Sequence, residues 1–316
     1  GLAMSFNAKR VATIREMVRS LEPLVIGLDP RMGGTFIARA WKELNFFGME
    51  GISILGLTPV DSAIWDLRGK AVGLNVAHLI GACCDAVRTY ASGGLWLNLS
   101  TDELQEQAVG FVRKGFRAMK VRLGKPDPLE DVTRVKAVRE AIGPDIALMA
   151  DANQQLSVKQ AIRLGRMLEE FDLTWYEEPV PSTDHEGEAA IAAALDVSLA
   201  SGETVWTHRG VLAMLQARAA DILMPDMQRM GGPTEYLKAG YLCEAYHIPV
   251  SSHVFAETSL PLLACFRTGD WLEHMPWFEV LYDRPIELDG EGRAVLPNRP
   301  GFGFSFNPEA VNRLAA

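Results

Sequence analysis

The stretch Ile146-Ala-Leu-Met-Ala-Asp151 passes from apolar residues into an acid at its carboxyl end. Two later stretches have the same form: Leu173-Thr-Trp-Tyr-Glu177 and Val197-Ser-Leu-Ala-Ser-Gly-Glu203. The interval from Asp151 to Glu177 is 26 residues, and the interval from Glu177 to Glu203 is the same. A repeat of that length fits one strand, one helix and their two loops. We therefore expect the three acids at the same level on neighbouring parallel strands.

Three carboxylates at one level repel one another unless a cation lies between them. All three offer oxygen ligands, which favours a hard divalent ion such as Mg2+ over Zn2+. Taken singly, an acid at the end of a strand is more often a loop residue or a helix N-cap. Because the spacing repeats, we predict that Asp151, Glu177 and Glu203 are metal ligands.

From about Val87 onward, apolar strands alternate with amphipathic helices, which is typical of βαβ units around a parallel sheet. The fold class is therefore α/β, and eight strands of this kind predict a barrel of the TIM type. The predicted strands span residues 87–93, 116–124, 146–151, 173–177, 197–203, 221–226, 248–253 and 271–273. Catalytic residues of such barrels gather at the carboxyl ends of the strands, where the polar residues of this chain also lie.

Lys120 and Arg122 alternate with Val121 in the second predicted strand, so both point to the same face of the sheet. Cations inside a barrel are costly to bury unless they are paired, and the predicted metal-site acids would pair them. The other interpretation is an ordinary strand whose cations extend to solvent.

His253 and Asp226 end the seventh and sixth predicted strands. A carboxylate that is hydrogen-bonded to one imidazole nitrogen fixes the tautomer and raises the basicity of the other nitrogen. The other five histidines are interpreted as structural. Glu273, at the end of the eighth predicted strand, would complete the ring of polar residues. Such a ring suits removal of a proton α to a carboxylate.

The first 87 residues have helical patterns and no strand ladder. We predict one helix from Asn7 to Leu21, a second that begins near Asp29-Pro30, and a third that begins at Thr58-Pro59 and ends at Gly73. Asp61 on the third helix is interpreted as solvated or structural.

The chain has 316 residues, with 31 basic and 40 acidic residues and a net charge of −9. This balance provides no basic field for nucleic acid or an anionic membrane surface. No apolar run approaches the roughly 18 to 20 residues of a membrane span. Four cysteines without paired spacing, Cys83 and Cys84 among them, predict a cytoplasmic protein with small buried thiols.

Together these motifs are similar to those of the enolase superfamily, in its mandelate racemase subgroup. The resemblance extends over nearly the whole chain from about Thr58 and rests on the combination of motifs. The matching motifs are Lys120-Val-Arg122, Asp151-Ala-Asn153, Trp175-Tyr-Glu-Glu-Pro179, Ser201-Gly-Glu203, Pro225-Asp226, Ser251-Ser-His253 and Glu273.

The resemblance implies a (β/α)7β barrel over residues 88–280 and a partial α+β capping domain built from both termini. Residues 1–87 would form the amino-terminal part of the cap, which is incomplete and mainly helical here. Residues 281–316 would return to the cap. The family begins with an antiparallel sheet, and by this resemblance we would expect the sequence to enter near the last strand of that sheet.

The resemblance also implies a role for each matching residue. Asp151, Glu177 and Glu203 would bind Mg2+, Lys120 and Glu273 would help to hold the substrate carboxylate, and Asn153 would contact the substrate. His253, oriented by Asp226, would remove the α-proton, assist departure of a β-hydroxyl, or do both in turn.

The sequence departs from the family at Arg122, where the family has a second lysine that acts as the opposite base. Arginine stays protonated at ordinary pH, which weakens two-base racemisation and favours a single base with an electrostatic partner. We therefore expect a dehydratase that converts an aldonate or aldarate to a 2-keto-3-deoxy acid. The alternatives are a racemase or epimerase of a 2-hydroxy acid and a non-catalytic acid-binding homologue. We also expect a small carboxylate substrate and a homo-oligomer.

Overall fold

Within residues 1–5 and 8–314, which the computed structural model describes, seven strands form a curled parallel sheet with the order β6-β5-β4-β3-β2-β1-β7. A further strand, β8, pairs antiparallel with β1. The strands are β1 (Ala86–Ala91), β2 (Ala118–Arg122), β3 (Ala147–Asp151), β4 (Trp175–Glu177), β5 (Leu199–Ser201), β6 (Ile222–Leu223), β7 (Trp271–His274) and β8 (Arg293–Val295). This sheet confirms the predicted α/β barrel.

Single bridges close the barrel between β6 and β7. Val250 forms isolated parallel bridges with Leu223 on one side and with Gly269 on the other. Residues 248–253 were predicted to form a regular strand, and that prediction is wrong in this detail. Pro249 has no amide hydrogen to donate, which removes one ladder hydrogen bond, although the N–H of Ser251 still donates to Leu223 O at 2.8 Å. The segment still carries His253 to the same end of the barrel as the other strand ends, because His253 bridges Asp226.

Helices surround the sheet and also form most of the amino-terminal part. In the described residues they are α1 (Ala8–Ser20), α2 (Glu22–Val25), α3 (Gly33–Leu44), α4 (Ile52–Val72), α5 (Val76–Ile80), α6 (Thr101–Arg113), α7 (Pro128–Ile142), α8 (Val158–Leu168), α9 (His185–Ala194), α10 (Thr207–Ala217), α11 (Met227–Met230), α12 (Pro233–Ala245), α13 (Ala256–Leu263) and α14 (Pro308–Leu314). Short 3-10 turns lie at Pro30–Met32, Glu169–Phe171 and Glu279–Leu281. The predicted cap residue Asn7 lies outside the described residues.

Large side chains fill the barrel below its carboxyl end. Tyr90, Trp175 and Trp271 pack together there, with the rings of Tyr90 and Trp175 edge to face at 5.2 Å. Val121 and Leu148 point the other way and pack under the helices. The alternation along each strand therefore directs every second side chain into the barrel, where burial of a large apolar side chain contributes about 1.5–3 kcal/mol.

The third predicted helix begins earlier than expected. Helix α4 starts at Ile52, and Pro59 lies inside it rather than at its start. Proline removes one backbone hydrogen bond at a cost of about 3 kcal/mol. Ile54 and Leu57 precede it on the buried face, so packing against α3 outweighs that cost. The predicted end is confirmed, because Gly73 caps the helix with φ 73°.

The carboxyl-terminal segment packs on α4 and α5. The backbone N–H of Gly301 donates to Leu74 O at 3.0 Å, and the N–H of Val76 donates to Gly301 O at 2.7 Å. The N–H of Phe302 donates to the Asp66 carboxylate at 3.1 Å. These contacts join the end of the described chain to the helices that precede the barrel.

Two further sequence expectations have a structural outcome. In the described part of the chain, no helix combines the length and apolar character needed to cross a bilayer. Cys83 and Cys84 are exposed, so the prediction of buried thiols is wrong for this pair. They lie in the loop between α5 and β1, whereas Cys243 and Cys265 are buried.

Candidate active site

The sheet register fixes how the three predicted ligands lie relative to one another. Asp151 and Glu177 are directly paired across β3 and β4. The residue paired with Glu177 on β5 is Ala200, so Glu203 lies three positions further along the chain and beyond the end of that strand. The expectation of three acids at one level therefore holds for Asp151 and Glu177 and is wrong for the backbone of Glu203.

Lys120 lies at the centre of the acids. Its Nζ atom is 2.5 Å from Glu177 Oε1, 3.1 Å from Glu273 Oε1 and 3.4 Å from Asp151 Oδ2. The side chain is only 1% exposed. Burial lowers the pKa of Lys120, but the attraction of Glu177 and Glu273 outweighs burial and the net shift is upward. Lys120 is therefore a buried cation, and it points inward as the alternation of β2 predicted.

Arg122 also points inward. Its Nη1 atom donates to Asp151, and its Nη2 atom donates to Ser92 Oγ at 3.0 Å. Its Cζ atom lies 4.9 Å from the centroid of the Trp96 ring. Ser92 in turn donates to Glu273 Oε1 at 2.6 Å. Ser92 thus links Arg122 to Glu273, and the only signal for it in the sequence is its position just after β1.

His253 lies between two carboxylates. Its Nδ1 atom is 2.7 Å from Asp226 Oδ2, and its Nε2 atom is 3.1 Å from Glu203 Oε2. Burial lowers the pKa of His253, but the attraction of Glu203 and the hydrogen bond to Asp226 raise it well above its usual range. Burial raises the pKa of the Glu203 carboxyl, but the attraction of His253 and its hydrogen bond outweigh burial and lower that pKa to about 2. In this arrangement the two acids favour the protonated ring, which then donates to both of them.

Glu273 connects the two sides of the site. Its Oε1 atom faces Lys120, and its Oε2 atom accepts from the backbone N–H of Val254 at 2.6 Å. Burial raises its pKa, but Lys120, His253 and Arg122 outweigh burial and hold the pKa of Glu273 well below its usual range.

Asn153 contacts an acid of the site directly. Its backbone N–H donates to Asp151 Oδ1 at 2.8 Å, and its Nδ2 atom lies 3.3 Å from Asp151 Oδ2. The backbone of Asn153 is left-handed, with φ 45°. Val254, the residue after His253, is also left-handed, with φ 48°. Non-glycine residues in this region are uncommon and cluster at functional sites, so both strand ends carry local strain.

The donors fit a hard divalent cation by their chemistry and charge. Within the described ranges, no three carboxylate, imidazole or thiol groups converge closely enough to hold a metal ion as the side chains lie. Protein cations pair with the acids instead. The network contains more acids than cations, with five carboxylates and four cations. Its members are Asp151, Glu177, Glu203, Asp226 and Glu273, and Lys120, Arg122, Arg229 and protonated His253.

Glu177 shows the effect of this surplus negative charge. Burial and then repulsion from Asp151 raise the pKa of Glu177 well above its usual range, although Lys120 opposes the shift. Its other oxygen accepts from Trp175 Nε1 at 2.8 Å. A divalent cation with oxygen ligands would offset the surplus, provided that Glu203 turned away from His253 and Asp151 from Arg122.

A large open cavity adjoins the site at Glu203. Its volume is about 960 Å3, and its walls come from α3, from the loop before α4 and from the loops that follow β4, β5 and β6. Arg229 in its wall donates to Glu203 O at 2.7 Å and lies 3.9 Å from Asp226. Side chains that suit a hydroxylated anion line it, namely Trp41, His185, Thr204, Trp206, Arg209 and Arg229. Sequence reasoning singled out neither arginine.

A family model described as "Enolase C-terminal domain-like" matches residues 103–310. Among characterised proteins, the chain is 36% identical over 287 residues to L-talarate/galactarate dehydratase from Salmonella typhimurium, covering 90% of this chain and 72% of that protein. It is 33% identical over 316 residues to 3,6-anhydro-alpha-L-galactonate cycloisomerase from Streptomyces coelicolor, covering 100% and 87%.

The fold is equally similar to solved structures. L-Talarate dehydratase from a Polaromonas species, crystallised with Mg and L-glucarate, superimposes with a TM-score of 0.94 at 34% identity. The match covers 99% of this chain and 87% of that one. The similarity therefore includes both the barrel and the helices before it.

Proposed function

This chain belongs to the enolase superfamily, in its mandelate racemase-like group, and from that membership we propose that it is a Mg2+-dependent acid sugar dehydratase. One observation carries the proposal: the pair of His253 with Asp226 lies in the same buried network as Lys120. An imidazole tuned by a carboxylate can transfer protons, and a buried cation can stabilise the negative charge that forms when the α-proton leaves.

We propose that Asp151, Glu177 and Glu203 hold the metal. When bound, Mg2+ would supply Lewis acidity toward the substrate carboxylate. Lys120 would add positive charge beside that carboxylate, since its buried Nζ atom lies 2.5–3.4 Å from Asp151, Glu177 and Glu273 at the centre of the site. Glu273 would fix the position of Lys120 and contact the substrate.

Asn153 would contact the substrate from the end of β3. Its side-chain amide lies against Asp151, so it also limits how that acid can turn.

We propose that His253 performs the proton transfers. Once Glu203 has turned away from His253, the ring loses the contact that most favours its protonated form, and neutral His253 would take the α-proton at Nε2 while Asp226 holds Nδ1. The resulting electron pair forms the carbon–carbon double bond as the β carbon–oxygen bond breaks. The imidazolium then protonates the departing hydroxide to give water, and the enol product becomes a 2-keto-3-deoxy acid. Each proton is returned, so the protein ends the cycle unchanged.

Arg122 supports dehydration over racemisation. A guanidinium that stays protonated cannot accept a proton on the opposite face of the substrate. It can still stabilise negative charge there, since it reaches the centre of the site through Asp151 and Ser92. A single base with a cation opposite is sufficient for loss of water.

The cavity supports a hydroxylated substrate. Arg209 stacks on Trp41, with Cζ 4.9 Å from the ring centroid, and threonine hydroxyls lie nearby. Hydroxyl, guanidinium and indole groups together suit the chain of an aldonate or aldarate. Replacing Arg209 with Gln should raise KM for a diacid more than for the matching monoacid. Equal changes for both acids would argue against a second carboxylate at this wall.

The function is tested by incubating the purified protein and Mg2+ with a library of aldonic and aldaric acids. The expected result is a 2-keto-3-deoxy product, detected by its carbonyl chemistry, and its loss in His253→Asn. A blank screen from folded protein that binds Mg2+ would contradict the dehydratase assignment. Exchange of the α-proton with solvent without loss of water would favour a racemase or epimerase instead.

We also propose a cytoplasmic location and a homo-oligomeric assembly. Four free cysteines support a reducing compartment. Fractionation of the source cell and light scattering of the purified protein test these two points separately.

A further inference from the structure

Gln154 and Glu178 form a contact behind the ends of the strands that carry the proposed ligands. Gln154 lies three residues after Asp151, and its Nε2 atom donates to Glu178 Oε2. The same Nε2 atom is 3.2 Å from Thr204 Oγ1, and Gln154 Oε1 accepts from the N–H of Ser182 at 3.1 Å. Gln154 therefore links the loops that follow β3, β4 and β5.

Glu178 extends this link to the loop that carries Glu203. Its Oε1 atom accepts from the backbone N–H groups of Gly202 and Glu203, both at 3.2 Å. The hydroxyl of Ser201 lies 3.5 Å from the same oxygen. Glu178 is 1% exposed, so these hydrogen bonds are formed away from solvent.

Glu203 needs such support because it lies beyond the last residue of β5 and outside the strand ladder. Its N–H is bound by Glu178, and its carbonyl is bound by Arg229 at 2.7 Å. Asp151 and Glu177, by contrast, are paired within the sheet.

The backbone at both ends of the link is left-handed. Gln154 has φ 63° and Glu178 has φ 37°. Side chains other than glycine hold such conformations only where surrounding contacts fix them, and the hydrogen bonds just described supply those contacts. The N–H of Gln154 also donates to Glu178 O at 2.6 Å, which ties the two strained residues directly together.

We infer that Gln154 and Glu178 are positioning residues that set the place of Glu203 relative to Asp151 and Glu177. Neither side chain needs to touch metal or substrate for this role. The inference rests on the proposed function, because it assumes that these three acids hold Mg2+. Residues that orient metal ligands from behind commonly change metal affinity by 10- to 100-fold when they are replaced.

The test is Glu178→Gln, which preserves size and removes one acceptor. If its carbonyl oxygen stays on the two loop amides, its amide nitrogen faces the donor of Gln154, and no hydrogen bond can form between them. Gln154 then keeps only Thr204 as an acceptor. We expect affinity for Mn2+, used as the probe metal in calorimetry, to fall by about 10- to 100-fold. The electron paramagnetic resonance signal of bound Mn2+ should change as well, since a shifted Glu203 alters the ligand geometry.

The double variant Gln154→Glu with Glu178→Gln reverses the donor and the acceptor and restores the net charge. Glu at position 154 would accept from the new amide and from Ser182, so affinity should return to within about threefold of the wild type. Recovery by exchange separates positioning from a general need for a carboxylate at position 178.

Glu235→Gln is the matched control, because Glu235 is an equally buried acid. It lies on α12 and pairs with His208 of α10 and Lys238 of α12. It should lower stability without changing Mn2+ affinity. If Glu178→Gln does not fold, Gln154→Ala breaks the same link without touching a charge and should weaken Mn2+ binding in the same direction.

Wild-type affinity in folded Glu178→Gln, or an equal loss in Glu235→Gln, would overturn the inference while leaving the proposed function intact. Failure of the wild-type protein to bind Mn2+ or Mg2+ would overturn the ligand assignment itself and the inference with it.

Discussion

The Nδ1 atom of His253 lies 2.7 Å from Oδ2 of Asp226, and this contact fixes the orientation of the imidazole ring. Because Nδ1 faces a carboxylate, Nε2 is the nitrogen that points toward Glu203 and the other acids. The bridge between these two residues closes the barrel at its carboxyl end, so one contact serves both the fold and the site.

Asp226→Asn should separate these two roles. The amide can still cap α11, where Asp226 Oδ1 accepts from the N–H of Arg229 at 2.8 Å, so the fold should persist. It cannot stabilise an imidazolium, and we expect kcat to fall by about 10²- to 10⁴-fold. The pKa of His253 should also fall, because a hydrogen bond that raises it is lost. Kinetics and histidine NMR across pH check both effects, and unchanged kcat with a shifted histidine signal would exclude His253 as the proton carrier.

Arg122→Lys should create a second base where the wild type has a fixed cation. A lysine in this position can lose its proton, whereas the guanidinium cannot. We expect the variant to exchange the α-proton of recovered substrate with D2O at least about tenfold faster than the wild type. Mass spectrometry of the remaining substrate measures this exchange.

Arg122→Met is the control for lost charge, and its turnover should fall by about 10²- to 10³-fold without any gain in exchange. If the wild-type protein exchanged the α-proton as fast as Arg122→Lys, the role of Arg122 as a purely electrostatic partner would be wrong.

Mg2+ should stabilise the folded chain, because five carboxylates outnumber the four cations that pair with them. Ligand that binds only the folded state at 100 times its Kd adds about 2.7 kcal/mol to the free energy of unfolding. Urea unfolding with Mg2+ and with a chelator measures the difference, with NaCl used to match ionic strength. Glu203→Gln should lose most of the response. An equal gain from NaCl alone would indicate screening rather than a bound cation.

The sequence could predict the barrel because its signal is local. In each βα unit the apolar pattern changes from the period of a strand to the period of a helix, and this change can be recognised within a few residues. The acids Asp151 and Glu177 mark strand ends that are paired in the sheet. The chain at 248–253 could not be judged in the same way, since a strand of apolar residues and a segment held by single bridges share one pattern. Pro59 led to a helix start that is too late, because a proline usually marks the beginning of a helix. In the structure the packing of α4 keeps the helix continuous through Pro59.

Within the site, the sequence predicted the charged residues that could bind metal or transfer protons. It did not predict the residues that hydrogen-bond to those side chains and fix their positions. Ser92 and Gln154 are unremarkable residue types, and only their three-dimensional contacts distinguish them. Glu178 could have been singled out from the sequence, because it directly follows Glu177 at the end of a strand that is buried on both faces. Two adjacent side chains point to opposite faces of a strand, so at least one of these acids is expected to be buried. The displacement of Glu203 beyond β5 could not be read from a spacing, since equal intervals do not fix how many residues a strand contributes.

The ionisation of Asp61 tests the effect of burial on a carboxyl group that lies outside the candidate active site. The side chain is completely buried, and its carboxylate accepts from the N–H and the hydroxyl of Thr234 at 2.7 and 2.8 Å. Burial raises the pKa of Asp61 to about 7, although the hydrogen bonds from Thr234 oppose the shift. In the unfolded chain the same carboxyl ionises near pH 4. Between these two values the folded state holds a proton that the unfolded state has lost.

The stability that depends on this proton is therefore fully present below about pH 4 and is lost as pH rises through about 7. Asp61→Asn should remove that loss, because the amide can bind Thr234 without ever ionising. From pH 4 to pH 8 the free energy of unfolding of the wild type should fall, relative to the variant, by on the order of 3 kcal/mol. Urea unfolding of both proteins across this range measures the difference, in which the other titrating groups cancel. Above pH 8 the difference should stay constant, and a difference that is flat from pH 4 onward would show that Asp61 is ionised in the folded state throughout.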